Sequence, residues 1–278
     1  MDTGFPTQDA QTDFSRARRR QLLARLARRL RREPNDVNLI LPFDEVVEAL
    51  GHRGERSLGL QTIPVDSIVG TVDRSREFDR SFRPTSQRVR GRWERIAEAQ
   101  RRGEAMPPIS VYRIGDMHFV KDGHHRVSVA GARGRTEIDA YVTEILTEVD
   151  PADGLRLTDL PLKGHQRVFF ERVPLPPQVR DRIQLSDPWD YAKLAEGVEA
   201  WGFRAIQYRG EFMTRGEVAE AWFREDYEPV VAALRDADLI GGSTEVEAYM
   251  RIVAERYRLM RTHNWDDSVL ERLARELR

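Results

Sequence analysis

Five consecutive residues, Asp122-Gly123-His124-His125-Arg126, bring together an acid, a glycine, two imidazoles and a guanidinium. A carboxylate can hold Mg²⁺ or take a proton, and an arginine can grip phosphate oxygens in a bidentate fork. The string lies between Met117-His118-Phe119-Val120, aromatic and β-branched like a strand, and Arg126 to Ala132, where Val127, Val129 and Ala130 supply helix packing. A glycine at such a turn lets backbone approach a ligand closely, and the free N–H groups that open the helix favour an anion. The same residues also fit a turn whose aspartate caps the helix and whose histidines are surface groups.

The elements on either side must position this string. Residues 1–12 read as a tail, followed by a helix in which Phe14, Arg18, Leu22, Leu26 and Leu30 recur every four residues. Pro34 and Asn35 end it. A short helix is expected at Phe43 to Leu50, a strand at Leu60 to Val65, a loop from Asp66 to Asp79 and a helix from Pro84 to Arg101 with Val89, Trp93, Ile96 and Ala97 on one face. Ile109 to Tyr112 and Phe119-Val120 form a hairpin around Gly115-Asp116, and Ile138 to Val142 alternates like a further strand. This order predicts an α+β domain over residues 58–149, preceded by a basic N-terminal region at 1–57.

From residue 150 to 210 the stretch reads as a connector, interrupted by Pro161, Pro174, Pro176 and Pro177, with a short strand at Arg167 to Phe170 and a helix opening at Ser186 to Trp189 with Pro188 at an early helical position. Residues 211–278 read as helical. Thr214-Arg215-Gly216-Glu217 has the form of a capping box, and helices are expected at Tyr227 to Ala237, Thr244 to Arg261 and Trp265 to Leu277.

With no cysteine among 278 residues, disulfides, thiolate zinc sites and cysteine catalysis are excluded. No run approaches the ~20 apolar residues of a membrane span, and the polar N-terminus predicts a cytoplasmic protein. Net charge is −1, yet Arg16 to Arg32 contains nine arginines and no acid. Such a helix suits nucleic acid, an anionic membrane or an acidic partner surface, and it equally suits a helix that docks its leucines on its own chain.

Three strings resemble the ParB/sulfiredoxin superfamily: Ile63-Pro64-Val65-Asp66-Ser67-Ile68, Pro107-Pro108-Ile109-Ser110-Val111, and Phe119-Val120-Lys121 running into Asp122 to Arg126. They are similar, in order, to the opening strand, second strand and signature box of ParB N-terminal domains, and cover about a third of the chain. The Asp-Gly-His-His-Arg box is closer to that of free-serine kinases and ParB-like bacterial proteins than to the Gly-Glu-Arg-Arg of ParB itself. The resemblance implies a ParB/sulfiredoxin-like fold that binds a nucleotide (CTP, ATP or ADP) with Mg²⁺. Gly123, His124, His125 and Arg126 would form its phosphate site, Arg80 and Arg83 would reach in from the preceding loop, and Asp122 would be the metal ligand.

Two activities follow as expectations. The first is a nucleotide-binding switch of the chromosome-partitioning type, a possible homodimer associated with DNA through the Arg16 to Arg32 helix. The second is a small-molecule kinase in which Asp122 ligates the metal, His124 or His125 contacts the transferred phosphoryl group and Asp73, Glu77 or Asp79 is the base. A nuclease is a weaker third, because adjacent histidines on a helix point in different directions and seldom share one ion. A sulfiredoxin-type reductase lacks its cysteine. The helix-turn-helix that follows this domain in ParB has only Thr214 to Ala219 as a candidate, trailed by the acids Glu225, Asp226 and Glu228. His52, His118, His165 and His263 stand apart without ligand spacing, and the five tryptophans at 93, 189, 201, 222 and 265 read as core or docking anchors.

Overall fold

The computed structural model describes residues 3–31, 39–73, 77–151 and 154–262, with side chains as far as Arg256. The expected Pro34-Asn35 stop, His263 and the helix from Trp265 to Leu277 lie outside the described residues. The chain divides into two compact units, Met1–Gly164 and His165–Arg278. The first therefore extends beyond residues 58–149 on both sides.

The first unit is a mixed α/β domain built on a six-stranded sheet in the order β1-β3-β5-β4-β6-β2. Its strands are β1 (Leu41–Pro42), β2 (His52–Pro64), β3 (Ile68–Thr71), β4 (Ile109–Ile114), β5 (Met117–Asp122) and β6 (Glu137–Thr147). β4 and β5 form the expected antiparallel hairpin, β3 runs parallel to β5, and β6 runs parallel to β4 and antiparallel to β2. β3 falls inside the stretch read as loop. Four residues, Ile-Val-Gly-Thr, are too few to show a period, and pairing with β5 makes them a strand. Gly70 is required there, since a Cβ would collide with the Phe119 ring and stand 2.8 Å from the Leu41 carbonyl oxygen.

Helix α1 (Pro6–Arg31) starts well before the expected boundary, inside the stretch read as a tail. Ala10, Phe14 and Ala17 join the domain core, and Phe14 meets Trp93 edge to face at 5.5 Å. Polar contacts anchor the same turns: Thr3 donates to Asp9 through its N–H at 2.9 Å and its hydroxyl at 2.8 Å, and Arg101 donates to Asp13 at 2.6 Å. Short polar side chains hid this segment from periodicity, although its few apolar positions carry real packing. Helix α2 (Phe43–Leu50) matches expectation, and Gly51 follows it with φ 76°. Helix α3 (Arg90–Arg101), entered through a 3-10 turn at Gln87–Val89, buries Val89, Trp93 and Ala97. Helix α4 (His124–Ala132) leaves the end of β5.

From Leu160 onward the described elements are helical: α5 (Leu160–Arg172), α6 (Pro177–Arg180), α7 (Pro188–Arg209), α8 (Arg215–Trp222), α9 (Glu228–Asp236) and α10 (Glu245–Thr262). The strand expected at Arg167 to Phe170 lies within α5. Its apolar run is as short as a strand yet buries Phe169 and Phe170 while Val168 stays 44% exposed, and run length alone cannot separate the two. The capping box is present: Thr214 and Glu217 satisfy each other's backbone N–H groups. A π turn at Phe223–Tyr227 carries α8 into α9 without a break. A helix-turn-helix needs a short turn at this point, and the chain stays helical through it. Around that turn Trp222, Tyr227 and Tyr249 pack together, the Trp222 indole N–H donating to the Tyr249 hydroxyl at 2.9 Å.

Candidate functional site

The box occupies the junction of β5 and α4, as its residue types require. Gly123 is the N-cap of α4 at φ 103°, and a Cβ there would stand 2.9 Å from Ile109 Cβ, so only glycine fits without strain. Arg126 turns back across this junction. Its Nη1 donates to the carbonyls of Pro107 at 2.6 Å and Pro108 at 2.8 Å, and its Nη2 pairs with Asp122. The guanidinium thus ties the lead-in of β4 to the end of β5. Asp122 remains largely exposed, whereas Arg126 is 13% exposed.

The two histidines turn inward. His124 is buried, its Nε2 is 2.7 Å from Thr71 Oγ1, and its ring clusters with those of Phe78 and Phe82, at 6.5 and 6.4 Å, the two phenylalanines lying 6.0 Å apart. His125, also buried, meets Phe78 edge to face at 5.5 Å. Those phenylalanines belong to a loop that Asp79 organises. The buried Asp79 carboxylate accepts from the N–H groups of Ser81 at 3.1 Å and Arg83 at 2.9 Å, and from the Arg83 guanidinium at 2.9 Å. Phe82 sits at φ 52°, a left-handed conformation that a bulky residue adopts only where its surroundings hold it.

Asp122, His124, His125 and Asp79 therefore occupy three environments: an exposed ion pair, an aromatic core and a buried loop clasp. Among the described residues no group of three or more histidine, aspartate or glutamate side chains is placed to hold a metal ion. A Mg²⁺ that arrives on a nucleotide needs one or two carboxylates, and Asp122 offers one that Arg126 already engages.

Open space lies behind the box, on the other side of the Phe78 to Arg83 loop. A cleft of about 370 Å³ is walled by Val65, Ile68, Phe82 and Val127 and edged by Arg80, Arg135, Asp66, Ser81 and Thr136. Its volume falls within the range of small-ligand pockets, and its lining mixes apolar and charged groups. The Val65 N–H donates to the Thr136 carbonyl at 2.9 Å, which fixes one wall against the other. Arg80 donates to the Leu155 carbonyl at 2.7 Å, and burial, followed by the nearby Arg156 charge, pulls it below the usual arginine value. A second depression of about 250 Å³ adjoins the first at Ser81 and lies between α1 and α4, edged by Arg16, Arg20, Arg83 and Ser128. Ser128 Oγ already accepts from the Trp93 indole at 2.8 Å, which leaves its hydroxyl hydrogen to donate.

Arg80 and Arg83, predicted to reach in from the loop, do line these depressions, while the box residues line neither. Arg135, Asp66, Arg16 and Arg20 escaped sequence reasoning as one group because they come from three separate elements or turns. The acid-free arginine run touched Arg16 and Arg20, and the Ile63 to Ile68 string touched Asp66, but neither signal joined them. Among the other histidines, His118 is buried with Nδ1 2.9 Å from Ser67 Oγ. Ser67 donates its own hydroxyl to the Pro64 carbonyl at 2.6 Å, so His118 supplies the hydrogen through Nδ1. Of the tryptophans, Trp93 and Trp222 are core, whereas Trp189 is exposed.

Compared with known proteins, the chain matches no family model and no curated sequence. The likeness to the ParB/sulfiredoxin superfamily rests on the residues that carry it.

Proposed function

We propose that the first unit binds a phosphate-bearing small molecule of the nucleotide class in the cleft behind the box, as a ParB/sulfiredoxin-like binding protein. The observation that carries this reading is the pairing of Arg80 and Arg135 at the edge of a cleft whose wall is apolar and partly aromatic. Guanidinium groups suit phosphate oxygens, and Val65, Ile68, Phe82 and Val127 suit the flat apolar face of a base. Asp66 is the carboxylate at this cleft and the residue that would share Mg²⁺ with bound phosphates. The backbone strain at Phe82 supports a binding role, since such strain concentrates at ligand clamps.

The box then serves as the support of this site. Gly123 and Arg126 close the β5 to α4 junction, and the histidines hold the loop that forms the cleft wall. A phosphotransferase of the free-serine-kinase type gains one observation, Asp66 as an acid facing the cleft, and turnover of ATP or ADP with hydroxyl metabolites tests it.

The decisive measurement is calorimetric titration and thermal shift with CTP, ATP and ADP, with and without Mg²⁺. At a hundredfold excess over Kd, a ligand raises stability by about 2.7 kcal/mol. Arg135→Ala, at an exposed position, is expected to keep the unliganded midpoint and weaken binding roughly ten- to a hundredfold, the worth of one charge-assisted hydrogen bond. Absence of heat and of any shift with all three nucleotides would overturn the proposal.

A further inference from the structure

Helix α1 has two apolar faces, and among the described residues only one is covered. Its first half buries Ala10, Phe14 and Ala17 in the domain core. In its second half Leu22, Leu23, Leu26 and Leu30 are 52%, 55%, 55% and 78% exposed. At about 100° per residue these leucines fall on the side of the helix opposite the docked face, so the contact that anchors α1 turns them outward. They cannot join the core that Phe14 joins without rotating the helix and pulling Phe14 out. Arg18, Arg25 and Arg29 border the leucine stripe along one edge and Arg16, Arg20 and Arg31 along the other, with Arg19 at its head. No acid interrupts the segment.

We infer that this outer face lies on an anionic lipid bilayer, parallel to its surface. The pattern is that of an interfacial helix, in which leucines enter the boundary of the acyl region while flanking arginines extend their stems and keep the guanidinium groups among the phosphates. Both halves of the pattern are used on such a surface. Duplex DNA would engage the arginines and leave four leucines in water. A second copy of the helix would bury the leucines only by bringing two acid-free arginine segments together, a like-charge contact. No helix among the described residues is long and apolar enough to cross a membrane, so the attachment is superficial. It stands independently of the ligand cleft.

The full chain would be sedimented with vesicles of phosphatidylglycerol mixed with phosphatidylcholine and with vesicles of phosphatidylcholine alone, alongside fluorescence anisotropy with a short DNA duplex. Expected are binding to the anionic vesicles alone and at least a tenfold loss in the double variant Leu26→Ser/Leu30→Ser, whose exposed positions leave the thermal midpoint in place. A milder Leu30→Ser variant replaces it should the double variant unfold. The inference is overturned by absence of binding to anionic vesicles, by binding that the leucine variants leave unchanged, or by a dimer in size-exclusion chromatography that those variants dissociate. Duplex DNA bound more tightly than the vesicles, with no loss in the leucine variants, would equally reassign the surface to nucleic acid.

Discussion

The box at the β5 to α4 junction and the cleft behind the Phe78 to Arg83 loop are neighbours with opposite characters. In the box, Arg126 is engaged by two carbonyls and a carboxylate, and both histidines are buried beside Phe78. In the cleft, arginines border unfilled space and the apolar side chains form a wall. Sequence chemistry concentrates in the first, and open space in the second. A cluster of reactive residue types is thus as well suited to hold a loop in shape as to touch a ligand, because charge-assisted hydrogen bonds serve either purpose.

The strongest challenge to this contrast is Asp79→Ala. It removes a buried carboxylate that clasps two N–H groups and the Arg83 guanidinium, and it is expected to cost about 3 kcal/mol in a chemical denaturation series. Little change in stability together with lost turnover would return Asp79 to the role of a base. Arg126→Ala comes next, with an expected loss of about 2 kcal/mol as its hydrogen bonds to Pro107, Pro108 and Asp122 vanish. If the folded fraction of that variant binds nucleotide normally, the box is support. A nucleotide response abolished at full stability would make the box the phosphate site and break the contrast.

The smallest effect sharpens it through pH. Burial, aided by the Arg113 charge, brings His118 from an ordinary 6.5 down to about 4. Between those values the unfolded chain binds the proton and the native state does not, so stability falls as pH drops from about 6.5 toward 4. His118 holds Ser67, next to the cleft residues Val65, Asp66 and Ile68. Thermal midpoints measured over this range should therefore decline less steeply in His118→Gln than in the wild type. Parallel curves would show that the imidazole is not the group that titrates.

The secondary structure around the box was legible because its signals are local. The hairpin, the α4 helix, the short α2 helix and the Thr214 capping box each declare themselves within a few residues, through alternation, glycine stops or a reciprocal cap. Short elements without a full period escaped. β3 depends on pairing with a strand 50 residues away, and Arg167 to Phe170 acquires its helical state from the turns around it.

Residue types alone determined that this chain has no thiol chemistry, that Gly123 ends a strand and starts a helix, and that one N-terminal helix carries an unbalanced positive charge. Tertiary structure decided which way the side chains of that helix and of the box are turned. Docking of Phe14 on Trp93 sends the leucines of α1 outward, and packing of Phe78 and Phe82 on α4 turns His124 and His125 inward. Direction of this kind is set by contacts between residues tens of positions apart, where neither composition nor spacing carries information.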